Sequence, residues 1–180
     1  MKTNQILIAG FGGQGVLFAG KFLAYKGMVE DLQVSWLPSY GPEMRGGTAN
    51  CSIIISDTPV GSPIVANPDC LVAMNLPSLD KYESAVVPGG KIFVDSTLIT
   101  RKIARSDVDA FYVPATQIAN EMGIPTLANM IILGKVLREC PEIGMDYLEA
   151  AMAKVVSAKR ANLIEQNLNA IKLGYEYKGE

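Results

Sequence analysis

The sequence predicts an α/β protein: a Rossmann-like three-layer sandwich with a mainly parallel sheet and a helical C-terminal region. Short apolar runs without polar alternation, the pattern of buried strands, alternate with helix-forming segments. The first run leads directly into the glycine-rich turn GFGGQG and then into a helix. The chain from Pro125 onward has helical patterning throughout. A length of 180 residues suits one domain that covers residues 1–180.

Six apolar segments are predicted to be strands. The first is a continuous apolar run that ends in glycine, which is typical of a strand buried on both faces. The third has the density of β-branched side chains that favours strands. A turn at residues 88–90 precedes the fifth. The predicted strands cover residues 4–10, 33–38, 49–56, 70–75, 91–96 and 110–115.

Six further segments are predicted to be helices, two between the strands and four after them. Glycine commonly ends helices, so Gly27 is expected to stop the first and Gly123 the third. Pro77 and Pro125 suit first turns, and Pro141 ends the fourth helix. The predicted helices cover residues 16–26, 76–87, 115–123, 125–140, 145–157 and 158–177.

The last helix carries an apolar stripe at three- and four-residue spacing. Such a stripe can pack on the core or bind a partner, and the spacing favours core packing. The stripe consists of Ala161, Ile164, Leu168, Ile171 and Tyr175.

Composition excludes several functional classes. The formal net charge is -2 and the basic residues are scattered, so no nucleic-acid-binding stripe is indicated. The longest apolar runs are too short to cross a bilayer, and the N-terminal residues do not resemble a signal peptide. We therefore expect a cytoplasmic protein that binds neither nucleic acid nor membranes.

Cysteine and histidine usage limits the chemistry further. The chain has no histidine, which removes the commonest general base and metal ligand. Its three cysteines, Cys51, Cys70 and Cys140, are far apart in sequence and form no CxxC motif. No resident metal or iron–sulfur cluster is therefore predicted. Any redox chemistry should reside on a cofactor or a partner chain.

The glycine-rich turn is the first candidate site. Gly10, Gly12 and Gly15 match G-x-G-x-x-G between a predicted strand and a helix, which is the context this motif requires. Glycines bring backbone N–H groups close to a ligand, and the helix N-terminus favours an anion such as a pyrophosphate. A turn that only packs strand against helix explains the same pattern, but the context favours phosphate binding.

A dinucleotide site would also need an acidic residue at the end of the second strand, where it binds a ribose. That strand ends in Leu37, Pro38 and Ser39, while Glu30 and Asp31 precede it. The loop therefore has the phosphate-binding half of the fingerprint and lacks the ribose-binding half.

The second candidate site is the loop SYGPEMRGGTAN. Arg45 is followed by Gly46 and Gly47, so its guanidinium could bind a phosphate or carboxylate bidentately. An ordinary exposed turn is the alternative. Apolar side chains in a loop after a strand favour a binding or interface role. The residues predicted to line the site or an interface are Tyr40, Glu43 and Met44.

The motifs GFGGQG, SYGPEMRGGTANC and NMIILG, in this order, resemble the gamma subunit of 2-oxoacid:ferredoxin oxidoreductases, the pyruvate/2-oxoglutarate/ketoisovalerate oxidoreductase family. The resemblance covers nearly the whole chain and implies one gamma-type catalytic domain. It also implies coenzyme A binding in this region. Its phosphate-side residues would be Gly10, Gly12, Gly13, Gln14 and Gly15, with Arg45, Gly46 and Gly47 on the second loop, and Asn129 and Met130 beside them.

The resemblance further implies a multi-subunit enzyme that converts a 2-oxoacid to acyl-CoA and is inactive as this chain alone. Thiamine diphosphate would be bound by alpha and beta subunits, and iron–sulfur clusters by a delta or beta subunit. The electrons would pass to ferredoxin or a related acceptor. An isolated gamma chain would expose apolar surface that its partners cover, which is compatible with a homodimer.

Three functions remain as alternatives at this point. The chain could present coenzyme A to a thiamine site on its partners, or it could be a purely structural subunit of the same complex. A free-standing NAD- or flavin-dependent oxidoreductase is disfavoured by the missing acidic residue. Arg45 distinguishes the first two, because it would bind either the ligand or a partner subunit.

Overall fold

A six-stranded mixed sheet forms the centre of the computed structural model, which describes residues 3–39 and 48–179. Its strands coincide closely with the apolar runs of the sequence, since burial on both faces favours such runs. The strands are β1 (Thr3–Phe11), β2 (Gln33–Ser39), β3 (Thr48–Ser56), β4 (Cys70–Ala73), β5 (Lys91–Asp95) and β6 (Asp109–Val113).

The strand order is β2-β3-β1-β4-β5-β6. The strands β1, β4, β5 and β6 are parallel, whereas β3 is antiparallel to both of its neighbours. Because β1 and β2 both oppose β3, they run in the same direction. The carboxyl ends of five strands therefore lie along one edge of the sheet. The expected α/β architecture with a mainly parallel sheet is confirmed.

Helices cover both faces of this sheet, which gives the three layers. Short 3-10 turns extend α2, precede α4 and precede α6. The helices are α1 (Val16–Val29), α2 (Leu76–Tyr82), α3 (Ala115–Glu121), α4 (Ala128–Glu139), α5 (Leu148–Val155) and α6 (Asn162–Glu176). Among the described residues no helix is long and apolar enough to span a membrane.

The two faces are unequal. On the thicker face, Ile6 and Ile8 of β1 and Phe93 of β5 pack in one core with side chains of α1, α3, α4, α5 and α6. On the other face, Leu7 and Leu71 form a smaller core with α2 and the connection between β5 and β6. The glycine-rich turn leads from the central strand into the thicker layer, and α1 covers the neighbouring β3.

On the thicker face, α4 and α6 cross so closely that their backbones are in contact. A Cβ added to Gly134 of α4 would overlap the carbonyl oxygen of Ile171, and one added to Gly174 of α6 would overlap that of Ile131. This close approach fixes the C-terminal helix against α4. It also explains why the buried stripe of α6 includes Gly174.

Several predicted boundaries are wrong. The first helix continues past Gly27 to Val29, because Gly27 lies against Val34 and Ile55 of the sheet, where a Cβ would be 2.8 Å from Val34 Cγ2. The helix instead ends before Asp31, which has a φ of 60°. The other five helices are all shorter than predicted, and the fourth begins after a 3-10 turn at Pro125–Leu127.

The apolar stripe predicted for α6 is confirmed only in part. Ile171 is fully buried, and Ile164 and Leu168 are half-buried against the core. Ala161 and Tyr175 are exposed. The fully buried positions are shifted along the helix surface to Asn167, Ala170, Ile171 and Gly174.

Candidate functional site at the carboxyl edge of the sheet

The glycine-rich turn follows β1 at the carboxyl edge and ends at the first turn of α1. Gly13 and Gly15 have φ values of 96° and 72°, in the region that favours glycine. The carbonyl of Gly15 accepts a hydrogen bond from Ala19 N at 3.0 Å, so Gly15 is the N-cap of the helix. The strand–turn–helix context expected from the sequence is present.

Gln14 holds the turn in place. Its Oε1 accepts a hydrogen bond from Phe11 N at 2.6 Å, and its Nε2 donates one to Met74 O at 2.9 Å. The side chain thus ties the turn to the residue that follows β4. Among the phosphate-side residues implied by the resemblance, Gln14 is therefore one whose side chain fixes the conformation of the turn.

Gly10 allows this arrangement because it leaves room for the Gln14 side chain. A Cβ on Gly10 would lie 2.6 Å from Gln14 Oε1 and 2.8 Å from Met74 Cβ. Any larger residue would push the glutamine out of its position between the two strand ends. The first glycine of the motif is thus required for packing, and its contact with a ligand stays a prediction.

Asn129 supports the turn from below. It is 3% exposed, lies in the first turn of α4, and donates a hydrogen bond from Nδ2 to Gly15 O at 3.0 Å. Its Oδ1 is buried and has no hydrogen-bond partner among the described residues. Met130, the next residue, is fully buried in the larger core. Their assignment as site-lining residues stays a prediction.

The outer surface of the turn is open. Phe11, Gly12 and Gly13 are exposed. Within residues 3–39 and 48–179 no hydrogen bond is formed by the amides of Gly12 and Gly13. These N–H groups lie at the N-terminal end of α1, where the helix dipole adds positive potential. An anion is therefore the ligand that this surface favours.

A pocket of about 250 Å³ adjoins this surface. Its lining combines the glycines of the turn with apolar side chains, so it can accept an uncharged portion of a ligand whose phosphates contact the turn. The lining residues include Phe11, Gly13, Val16, Phe18 and Ala49. Phe11 was not predicted from the sequence, although an aromatic residue between the motif glycines is a recognisable signal.

The second predicted loop lies outside the described residues, so Tyr40, Glu43, Met44, Arg45, Gly46 and Gly47 stay predictions. The register fixes where this loop is anchored. Thr48 pairs with Phe11, and Ser39 pairs with Asn50. Both ends of the loop are therefore attached to the carboxyl edge, one strand and two strands away from the glycine turn.

The strand order gives a second reason against dinucleotide binding. The second strand ends at Ser39 without an acidic residue, as the sequence indicated. In addition, the antiparallel β3 separates it from β1. A ribose-binding carboxylate at the end of β2 would lie one strand farther away than in a dinucleotide-binding sheet.

Cys51, the last residue of the second motif, is a core residue. It is fully buried beneath α1, and its Sγ donates a weak hydrogen bond to Val16 O at 3.5 Å. Burial raises the pKa of this thiol to about 12. A thiol so far from its thiolate form is a poor nucleophile, so Cys51 fills space below the site.

A buried carboxylate lies farther along the same edge and was missed in the sequence. Asp95 ends β5 and is fully buried. It accepts hydrogen bonds from Thr116 Oγ1 at 2.5 Å and Thr116 N at 3.2 Å, and one from Thr97 N at 3.1 Å. These bonds stabilise the start of α3. No cluster of three potential metal ligands occurs in the described part of the chain.

The family model described as pyruvate ferredoxin/flavodoxin oxidoreductase matches residues 5–177. The ketoisovalerate oxidoreductase subunit VorA of Methanothermobacter thermautotrophicus is 42% identical over 179 residues, covering 98% of this chain and 36% of that protein. The 2-oxoglutarate synthase subunit KorC of Methanocaldococcus jannaschii is 35% identical over 180 residues, covering 98% of this chain and 95% of KorC. The chain thus spans about a third of VorA and nearly all of KorC.

Two solved structures resemble the fold. The gamma subunit of a keto/oxoacid ferredoxin oxidoreductase from Geobacter sulfurreducens superimposes with a TM-score of 0.79 at 29% identity, covering 96% of each chain. The 2-oxoglutarate:ferredoxin oxidoreductase of Magnetococcus marinus, solved with 2-oxoglutarate, coenzyme A and succinyl-CoA, has a TM-score of 0.85 at 24% identity. That match covers 97% of this chain and 31% of the other, and it shows a shared fold. The chain belongs to the pyruvate ferredoxin/flavodoxin oxidoreductase family.

Proposed function

We propose that this chain is the gamma-type subunit of a 2-oxoacid:ferredoxin oxidoreductase and that its glycine-rich turn binds the phosphates of coenzyme A. The enzyme would convert a 2-oxoacid and coenzyme A to acyl-CoA and carbon dioxide, with the electrons passing to ferredoxin. Family membership and the likeness to KorC along almost its full length support this role. The VorA and KorC relatives indicate a 2-oxoacid substrate.

The observation that carries the coenzyme A proposal is the pair of exposed amides at Gly12 and Gly13, which have no hydrogen-bond acceptor within residues 3–39 and 48–179. Coenzyme A carries several phosphate charges and an extended, less polar arm. The amides and the helix dipole favour the phosphates, and the neighbouring apolar pocket can accept the uncharged part. Arg45 would add a bidentate contact from the second loop.

The chemistry itself would be supplied by partner chains. This chain has no histidine, and the thiol of Cys51 is held protonated in the core. As the family resemblance implies, thiamine diphosphate and iron–sulfur clusters would be bound by alpha, beta or delta subunits. The contribution of the gamma chain would be to bind and orient coenzyme A beside the partner that forms the acyl group.

The carboxyl edge also has the surface that assembly would need. Phe11 is the last residue of β1, and Leu76 and Leu98 follow the ends of β4 and β5. These three side chains are 39%, 39% and 46% exposed. A partner that docks here would cover these side chains and enclose the ligand at the same time. This row of apolar side chains favours the alternative of a purely structural subunit as well.

Calorimetry with coenzyme A on the assembled complex tests the proposal. Gly13→Ala is the informative variant, because its Cβ would meet no atom of the described residues within 4 Å but would protrude into the ligand surface. Gly89→Ala is a matched control at the opposite edge, since Gly89 also has a positive φ of 76° and open space around it. The variant should lose hydrogen bonds from the turn to the charged phosphates, so it should bind coenzyme A about tenfold more weakly or worse.

The possible results separate the two roles. If wild type and Gly13→Ala bind coenzyme A equally, or if neither binds, the coenzyme A assignment is wrong. Arg45→Ala that still co-purifies with the partners but loses binding supports a ligand role. Arg45→Ala that loses its partners supports the purely structural subunit.

A further inference from the structure

Two cysteines that are far apart in the sequence lie together at the amino edge of the sheet. Cys70 is the first residue of β4, and Cys140 follows the last turn of α4. They are 4% and 2% exposed, and both line a pocket of about 290 Å³. This pocket is on the opposite edge from the glycine-rich turn.

Lys91 establishes how these elements meet. In the sheet register Lys91 pairs with Cys70, so the two side chains lie next to each other on the same face. The ammonium of Lys91 donates a hydrogen bond to the carbonyl of Glu139, the residue before Cys140. One lysine thus lies beside the first cysteine in the sheet and binds the backbone adjacent to the second.

We propose that Cys70 and Cys140 form a reversible intramolecular disulfide, with a small disulfide that enters the adjoining pocket as the oxidant. In the structure both thiols are reduced. The disulfide would join the start of β4 to the end of α4. Neither residue takes part in the proposed coenzyme A site, so this inference does not depend on that assignment.

The electrostatic surroundings make the two thiols unequal. The interaction with Cys70 lowers the pKa of Cys140, and the charge of Lys91 lowers it further, against the opposing effect of burial. The same interaction, followed by burial, raises the pKa of Cys70 well above its usual value. Cys140 is therefore the attacking thiolate and Cys70 the resolving thiol.

The reaction balances as two thiol–disulfide exchanges. The Cys140 thiolate attacks one sulfur of RSSR, which breaks the S–S bond, forms a mixed disulfide and releases RS⁻. Cys70 then gives up its proton and attacks the Cys140 sulfur, which displaces a second RS⁻. The protein loses two protons and two electrons, and the small disulfide is reduced to two thiols.

The pocket gives a small disulfide a route to the two thiols. Its rim includes the exposed residues Pro88, Gly89 and Glu142. A compact reagent can therefore approach the thiols without unfolding of the sheet. Cys51 is the natural comparison, since it is also buried but lies under α1 and outside this pocket.

The test treats the fully reduced, full-length chain with bis(2-hydroxyethyl) disulfide and follows intact mass and non-reduced peptide maps. We expect wild type to lose the mass of two hydrogens and to yield a peptide pair linked through Cys70 and Cys140. Cys51→Ser should behave like wild type. Cys70→Ser should stop at the mixed disulfide on Cys140, because no resolving thiol is present.

Urea unfolding checks that each variant is folded, and Cys70→Ala replaces Cys70→Ser if the hydroxyl disrupts the core. The oxidised wild type should also unfold at higher urea than the reduced form, because the cross-link restricts the unfolded chain. The proposal is overturned if wild type accumulates only mixed disulfides. It is equally overturned if the native chain resists oxidation under conditions where the denatured chain reacts, or if Cys51 reacts as fast as Cys140.

Discussion

Replacement of Gly15 by alanine tests how the glycine-rich turn is supported. Gly15 has a φ of 72°, and a Cβ there would lie 2.5 Å from Asn129 Nδ2 and 2.9 Å from its Cγ. The added methyl group therefore does two things. It strains the backbone of the helix N-cap, and it displaces the amide that hydrogen-bonds to Gly15 O.

The magnitude follows from these two effects. A left-handed backbone costs a residue with a Cβ about 1–2 kcal/mol. The lost hydrogen bond of Asn129 adds about 0.5–1.5 kcal/mol. We therefore expect Gly15→Ala to lower the free energy of unfolding by about 1.5–3.5 kcal/mol. The carbonyl of Gly15 keeps its bond from Ala19 N, so it is not left unpaired.

Gly123→Ala isolates the backbone effect. Gly123 has a similar φ of 68°, but a Cβ there would meet no atom within 4 Å in the part of the chain that the structure describes. This variant should lose only about 1–2 kcal/mol. In a background of Asn129→Ala the amide is absent, so Gly15→Ala should then cost no more than the Gly123 control.

Urea unfolding of the four proteins in the Gly15 and Asn129 cycle measures the coupling directly. We expect the double variant to be more stable than the sum of the single effects by about 1 kcal/mol. The reasoning is refuted if the cycle is additive. It is also refuted if Gly15→Ala costs no more than Gly123→Ala, because Asn129 would then not support the turn.

Three further predictions concern the scaffold around the site. Gly174→Ala should lower the free energy of unfolding by about 3 kcal/mol or more, or prevent folding, because its Cβ overlaps the carbonyl of Ile131 and neither helix backbone can shift at low cost. Thermal unfolding measures this loss. Asn75→Ala should cost about 1 kcal/mol in the same assay, since its side chain caps α2. The ion pair with Arg105 holds the pKa of Asp107 below its usual 3.8. The ion pair therefore stabilises the folded chain above pH 3.8, and this stabilisation is lost as the pH falls through the lower pKa of the folded state. Asp107→Asn should make the urea midpoint less dependent on pH in the acid range.

Each of these has its own control. Gly61→Ala adds a Cβ where no atom of residues 3–39 and 48–179 lies within 4 Å. A loss as large as that of Gly174→Ala would therefore contradict the explanation by close helix crossing. Retained stability in Asn75→Ala would mean that its bond to Ser78 N contributes nothing. An unchanged acid dependence in Asp107→Asn would mean that the ion pair with Arg105 does not persist in solution.

Most strands could be predicted because their signal is local. A buried strand favours an uninterrupted apolar run, and β1, β3, β4, β5 and β6 each contain one. The edge strand β2 is the exception, because Ser35 and Pro38 lie among its apolar residues and it is only partly buried. The pairing of those strands could not be predicted in the same way. Nothing in the residues of β3 indicates that it is antiparallel and lies between β1 and β2, because strand order depends on contacts between distant segments.

Helix ends also depend partly on local sequence and partly on contacts with distant residues. Gly123 does end its helix with a positive φ, as local glycine preference suggests. Gly27 does not, because a glycine is also selected wherever a helix approaches a sheet too closely for a Cβ. The two cases have the same local signal, and only the packing partner distinguishes them.

The sequence by itself determined the α/β class, the turn that exposes backbone amides at a helix start, and the absence of histidine chemistry, since these depend on neighbouring residues and composition. Tertiary structure decided that Asn129 supports Gly15 and that Gln14 and Met74 join two strand ends. It also brought Cys70 and Cys140 into one pocket. Such juxtapositions follow from the free energy of the whole packed chain, in which distant residues meet only when every layer is in place.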